Sequence, residues 1–299
     1  MNQRVYKILE FDKIINILAS YAASELGMEN KGTPPLSSVK DIRTSIKRIE
    51  IGGVLSFSEL LGVRDILTTS RRLKDHSKGG DNFVVNKDIE DDNNIIESMI
   101  STLYINKRLE EHIDSCILND EEMADDASPQ LFSIRKQIRD NQASIKEKLN
   151  SILHSSDLQK YMQDSLVIPV KVEYKQYVKG LVHDASSSGQ TLFIEPMAVV
   201  DANNKIKELK VKEQTEIERI LYELSAEVFE VKDELTANME LLVELDFDFS
   251  KAKFSIDYKC TNPHINDKHI INIKKGRHPL IDKGKVVPID LWIGERFDS

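Results

Sequence analysis

Only two cysteines occur in the 299 residues, Cys116 and Cys260, and they stand too far apart in sequence for any metal-ligand spacing. Scattered cysteines in a chain of this size point to free thiols in a reducing compartment. Aromatics are scarce at 6%, with a single tryptophan, so the core must be mainly aliphatic. No stretch approaches the roughly 18 apolar residues of a membrane span. The start, Met1 to Lys7, has no apolar run behind it of the kind a signal peptide carries. The expectation is a cytoplasmic protein without membrane contact. Positive charge is also short: 41 Lys and Arg stand against 50 Asp and Glu, a net charge of −9. That excludes a surface that grips nucleic acid everywhere, because phosphate binding needs clustered cations, but it allows a local basic patch. The acidic runs Glu90-Asp91-Asp92 and Asp120-Glu121-Glu122 read as solvated faces or loops.

Glycine and proline are missing from two long stretches, between Pro129 and Pro169 and between Pro196 and Pro263. These residues most disrupt a helix interior, so both stretches are free to be helical. Ser128-Pro129 is a helix start, a capping hydroxyl followed by proline at the first helical position. Leu131, Ile134, Ile138, Ile145, Leu149 and Ile152 then keep a 3–4 spacing. The second arm carries Ile206, Leu209, Ile217, Ile220, Leu224, Val228, Val231, Leu235, Met239 and Leu242, with Glu213 interrupting the stripe. A narrow stripe flanked by Glu and Lys is the pattern of helices packed coiled-coil fashion. A single helix over 203–245 would be about 65 Å long.

Between the arms the pattern changes. Val167 to Lys175 alternates in the strand manner, Tyr177 to Asp184 alternates again, and Thr191 to Ile194 is a third β-rich run. Ser186-Ser187-Ser188-Gly189 fits a hairpin turn. The arms should therefore run antiparallel with a small sheet at their far end. Upstream, residues 5–26 form an amphipathic pattern. Thr33-Pro34-Pro35 is a loop, and Ser37 or Ser38 caps a helix with Ile42, Ile46 and Ile49 on one face. Gly52-Gly53 interrupts, a helix lies near Arg64–Leu73, Gly79-Gly80 is a loop, and Asn86 caps a long pattern to about Ile117. After Pro263, Ile270–Ile273 and Val286–Ile293 look like short strands, with Trp292 reading as core.

The string IPVKVEYKQYVKGLVHDASSSGQTLFIEP (168–196), followed by VVDANNKIKEL (199–209) and EIERIL (216–221), closely resembles the second bacterial branch of the MutS family. LEFDKIINILASYAASELG (9–27), ASPQLFSIRKQIR (127–139) and GRHPLIDKGKVVPIDLWIG (276–294) match in the same order. The resemblance implies a mainly α fold with five regions. These are a helical core domain (1–127), an outgoing lever helix (128–160), a small β clamp (161–196), a returning lever and core helix (197–262), and the first strands of an ABC-type ATPase domain (263–299). The sequence contains no G-x-x-x-x-G-K-[ST] phosphate loop. The expectation is a stretch of the family protein that neither hydrolyses ATP nor cuts nucleic acid, with no catalytic or metal-ligating residue and no cofactor of its own. For the full-length protein the resemblance implies ATP and Mg, a homodimer, and a ligand that is branched or duplex DNA, or the rRNA of stalled and collided ribosomes. The implied roles are suppression of recombination or splitting of ribosomes.

Lys171, Lys175 and Lys179 lie in the clamp region, and period-2 spacing puts the first two on one strand face; Lys160 stands nearby in sequence. Lysines offer point charges to a phosphate backbone without reading bases. By the resemblance, Val286, Val287 and Pro288 match the place where MutS-type ATPases pack adenine, although many relatives carry an aromatic at the first position. His183-Asp184 beside three serines invites a hydrolytic triad. Strand neighbours point to opposite faces, however, so Asp184 and Ser186 are expected to cap turn amides instead. A second reading of the whole chain is a coiled-coil dimerisation module without nucleic-acid affinity, which the negative net charge favours.

Overall fold

The computed structural model describes residues 10–21, 39–78, 95–154 and 167–294. The Thr33-Pro34-Pro35 loop, the caps at Ser37, Ser38 and Asn86, the Gly79-Gly80 loop and Lys160 lie outside the described residues. The described chain is mainly helical with small antiparallel sheets. It divides into two compact units, one of 43–64 and 108–231, the other of 1–42, 65–107 and 232–299.

The first unit is built on two long helices, α6 (Pro129–His154) and α7 (Met197–Glu230). At 1.5 Å per residue they are about 39 and 51 Å long. They run antiparallel, because Ser128 reaches Glu216 while Arg135, further along α6, reaches Glu213. Between them lie β1 (Ile168–Lys171), β2 (Gly180–Ala185) and β3 (Thr191–Pro196), in spatial order β1-β3-β2. Ile134, Ile138 and Ile145 of α6 share one apolar core with Val199, Ala202, Ile206 and Leu209 of α7 and with Ile168, Val170 and Ile194 of the sheet. The sheet is thus seated on the helix pair by its inner face.

Polar contacts set the register of the pair. Ser128 Oγ accepts the Leu131 amide at 3.0 Å, capping α6, and donates to the buried Glu216 at 2.7 Å. Arg219 clamps the same carboxylate through Nη2 and Nε at 2.7 and 2.8 Å. Arg135 donates to Glu213 at 2.7 Å, to the Met123 carbonyl at 2.8 Å and to Asp125 at 2.7 Å, and Arg139 adds a second bond to Asp125. Glu213 therefore leaves the apolar stripe to hold Arg135. The same unit contains α2 (Arg43–Glu50), closed by the Gly52 amide on Ile49 at 3.0 Å and the Gly53 amide on Arg48 at 2.9 Å. Gly52 sits at φ 80°, where a side chain is strained. The helix α3 (Phe57–Lys78) starts with a capping box, Glu59 accepting the Ser56 amide at 2.9 Å.

In the second unit, α8 (Lys232–Tyr258) packs on α1 (Phe11–Ala19). Here the expected long helix is corrected: α7 stops at Glu230, and Val231 takes φ −123°. A β-branched valine is a poor helix residue, and Asp233-Glu234 suit the positive first turn of a new helix. The long pattern to Ile117 is likewise divided, into α4 (Ile95–Thr102) and α5 (Lys107–Cys116). The reason is the buried Asn238 of α8. Its Oδ1 accepts the Tyr104 amide at 2.8 Å, and its Nδ2 donates to the Tyr104 carbonyl at 2.7 Å and to Ser70 Oγ at 3.0 Å, so the 103–106 backbone bonds to a side chain rather than to a helix. Tyr21 donates to Asp257, whose carboxylate pushes the phenol up to about 12. The strands β4 (Ile271–Gly276) and β5 (Ile289–Ile293) pair antiparallel. Trp292 is 57% exposed on them, not core as the sequence pattern suggested. Cys116 is buried and Cys260 exposed, both free.

Two outcomes follow from this packing. Asn238→Ala strands two half-buried backbone groups at Tyr104 and should lower stability by about 1–3 kcal/mol in urea unfolding; a change within about 0.5 kcal/mol would contradict the role. Hydrogen bonds from Arg219 hold Glu216, and those from Arg135 and Arg139 hold Asp125, below their ordinary values of 4.5 and 3.8. Both carboxylates bind protons more weakly folded than unfolded. Their contribution is complete above the ordinary range and is lost as pH falls below it. Thermal midpoints measured downward from pH 6 should fall less steeply in Glu216→Gln than in the parent chain.

Candidate nucleic-acid interface

The sheet's second face and its loops carry the residues that the sequence singled out. In β1, Ile168 and Val170 turn inward, so Lys171 is left on the exposed side as the last residue of the strand. It pairs with Thr191, the first residue of β3. Beyond that pair β1 has no strand partner, because 186–190 form the turn. The chain instead winds into a 3-10 helix, Val172–Tyr177, tethered by the Val172 amide on the Gln190 carbonyl at 3.1 Å. This corrects the expectation of one strand to Lys175. Lys175 sits in the 3-10 helix, so strand alternation does not put it on a shared face with Lys171. Its carbonyl accepts the Val178 amide at 3.2 Å.

Lys179 lies where the sheet meets α7, its carbonyl accepting the Met197 amide at 2.9 Å. All three lysines are exposed, and none has an ion pair among the described residues. Further along α7, Lys212 and Lys205 both bind Glu208, at 2.6 and 2.9 Å, and hold its carboxyl down at about 2, while Lys207 and Lys210 are exposed without an ion pair among the described residues. Tyr174 and Tyr177 stand exposed between these lysines in sequence, a feature that the strand reading had hidden.

His183 occupies a bulge in β2, where the register against β3 shifts between Val182 and Asp184. The bulge turns its ring to Glu195, with Nε2 and Oε2 2.8 Å apart, and Glu195 also accepts Asn203 Nδ2 at 3.0 Å. Asp184 accepts the Ala185 amide at 2.8 Å, and Ser186 Oγ accepts the Thr191 amide at 3.1 Å. Ser186 and Ser188 face each other at 3.2 Å. The arrangement lacks a base on a nucleophile, so it is a structural hairpin and not a hydrolytic triad. Gly180 is fixed by contact: a Cβ there would lie 2.1 Å from the Glu195 carbonyl oxygen.

No family model matches the chain. Among curated proteins it is 48% identical to the Endonuclease MutS2 of Ruminiclostridium cellulolyticum and 47% identical to that of Acetivibrio thermocellus. The Endonuclease MutS2 of Clostridium perfringens is 40% identical. Each alignment covers 100% of this chain and 42% of the relative. The chain belongs to the MutS2 branch of the MutS family. It spans less than half the length of the MutS2 relatives it matches and aligns with their N-terminal part.

Val286, Val287 and Pro288 of this MutS2 chain precede β5. Val286 is half-buried, its amide bonded to the Asp282 carbonyl at 3.0 Å, while Val287 is 75% exposed and Pro288 is exposed too. Among the described residues no group of three or more His, Cys, Asp or Glu is placed to hold a metal ion, and no helix is long and apolar enough to cross a membrane.

The close approach at Gly180 gives a direct check on the sheet. Gly180→Ala forces β2 from β3 and should cost about 1–3 kcal/mol. Amides of 180–185 should lose hydrogen-exchange protection, while the α6–α7 core from Ile134 to Ile206 keeps its own. Unchanged protection in β2 would contradict the packing.

Proposed function

We propose that this chain is the nucleic-acid-gripping region of a MutS2 protein. In this reading α6 and α7 form a lever and the three-stranded sheet is the clamp it carries. Lys171, Lys175 and Lys179 supply the phosphate contacts, with Lys160 as a fourth candidate. The observation that carries the reading is the set of three exposed lysines without ion pairs, one at the end of β1 and two in the segment that joins β1 to β2, on a sheet packed against two long helices. Such charges hold a backbone without reading its sequence. The ligand would be duplex or branched DNA, or ribosomal RNA.

The full-length MutS2 protein would act as a homodimer that binds ATP and Mg, and the rest of its ATPase domain, beyond the first strands at 263–299, would lie outside the 42% of the relatives that this chain matches. Clamp movement would then follow the nucleotide state, provided that two arrangements of the protein differ in affinity for both ligands. Val286, Val287 and Pro288 would contribute to adenine packing only as part of that larger domain. Suppression of recombination at branched DNA and splitting of collided ribosomes are the roles proposed for the whole protein, and its endonuclease activity follows the relatives' name. A second reading is a coiled-coil module that binds protein alone, which the net charge of −9 favours.

A salt titration separates the two. Binding of the 299-residue chain to duplex and branched DNA and to ribosomes is measured across a salt series. Each phosphate contact contributes about −0.9 to the slope of log K against log salt on B-DNA. Changing Lys171, Lys175 and Lys179 to Glu should weaken binding and flatten the duplex slope by about 2 to 3. Absence of binding to every one of these ligands would sink the gripping role and leave the coiled-coil reading.

A further inference from the structure

The 3-10 helix at the sheet has a use that phosphate contact does not exhaust. With three residues per turn, side chains three apart eclipse one another. Tyr174 and Tyr177 therefore stand on one face, their ring centroids 6.4 Å apart and their planes tilted by 43°. Both are open, Tyr174 at 53% and Tyr177 at 75% exposure. Among the described residues neither phenol has a hydrogen-bond partner, so both rings are free to meet a ligand. The residue that follows the 3-10 helix anchors it, since Val178 packs on the core of α6, α7 and the sheet. The rings are thus held out by a fixed backbone, and Lys171, Lys175 and Lys179 bracket them in sequence.

Aromatic faces beside unpaired cations suit one chemistry well. A base stacks on the ring while its phosphate meets the lysine, and every base offers a π face. Bases in an intact duplex already stack on their neighbours and present only edges. We infer that Tyr174 and Tyr177 form a stacking platform for unpaired nucleotides, so that this clamp prefers single-stranded segments of DNA or RNA, such as those at branch points and loops, over continuous duplex. The inference rests on the phosphate-gripping reading above and adds the class of ligand.

The test uses the 299-residue chain and fluorescence anisotropy with three probes: oligo-dT and oligo-rU of about 12 nucleotides, within the site size of such surfaces, and a blunt duplex. Tyr174→Ala with Tyr177→Ala should lose about fivefold or more in affinity for the single strands for each stack removed. The duplex should change by less than about twofold, since it engages phosphate contacts alone. Tyr174→Phe with Tyr177→Phe, which keeps both rings, should retain single-strand binding. The dT and rU arms tell whether DNA or RNA supplies the bases. Equal losses on single strand and duplex, or no loss on either, would overturn the platform. Duplex binding with a lysine-dependent salt slope but no preference for single strands would overturn the platform and leave the gripping role standing. If the unmodified chain binds none of the three, the platform falls, and the gripping role stands or falls on the branched-DNA and ribosome arms of the salt titration.

Discussion

The apolar core shared by α6, α7 and the sheet is the constraint on which the first unit depends. A three-stranded sheet of four to six residues per strand needs such a partner, because small sheets in water are marginal without a packed face. Ile168, Val170 and Ile194 supply that face, and Ile145 and Val199 bring the helices to it. Once those residues turn inward, alternation turns Lys171 outward. Once β3 begins at Thr191, the ladder of β1 must end at Lys171, and the next six residues have only a 3-10 turn to enter. The exposed lysines and tyrosines are thus a consequence of where the core stops.

Charge follows the same division. Along α6 and α7, carboxylates are neutralised by guanidinium and ammonium groups: Glu213 and Asp125 by Arg135, Glu216 and Glu223 by Arg219, and Glu208 by Lys205 and Lys212. Apart from the pair at the buried Glu216, such pairs lie at the helix surface and add little stability each. Their larger effect is to fix which face is which. The sheet's lysines are left out of this pairing, so a chain of net charge −9 can still present local positive charge. Global charge is a poor guide to what one loop can bind.

Much of this was legible in the residues. Ser128-Pro129 marks the α6 start, Ser186 to Gly189 makes the turn, and the missing Gly and Pro announce both long helices. Asp184 and Ser186 cap amides as a turn requires. What failed depends on partners that no local pattern reports. The 3-10 helix follows from the length of β3, the break at 103–106 from Asn238 far along the chain, and the turn of His183 toward Glu195 from a bulge. Glu213 broke an apolar stripe because Arg135 needs it. Two signals were present and overlooked: Ser56-x-x-Glu59 is a capping box, and Asp233-Glu234 mark a new helix start after Val231. Among the candidate residues, the lysines were singled out from sequence, but the tyrosines between them were hidden because Tyr174 and Tyr177 had been read into two separate strand-like runs, whereas both stand on one 3-10 helix.

The central claim is that nucleic acid meets this chain at the sheet carried by α6 and α7. A hydrogen-exchange footprint of the 299-residue chain with and without a saturating oligonucleotide tests it most directly. The account expects slowed exchange concentrated in 171–185, strongest through the 3-10 helix, with little change at β4 and β5. Protection centred on 271–293, or spread evenly along the exposed faces of α7 and α8 with none at 171–185, would contradict it.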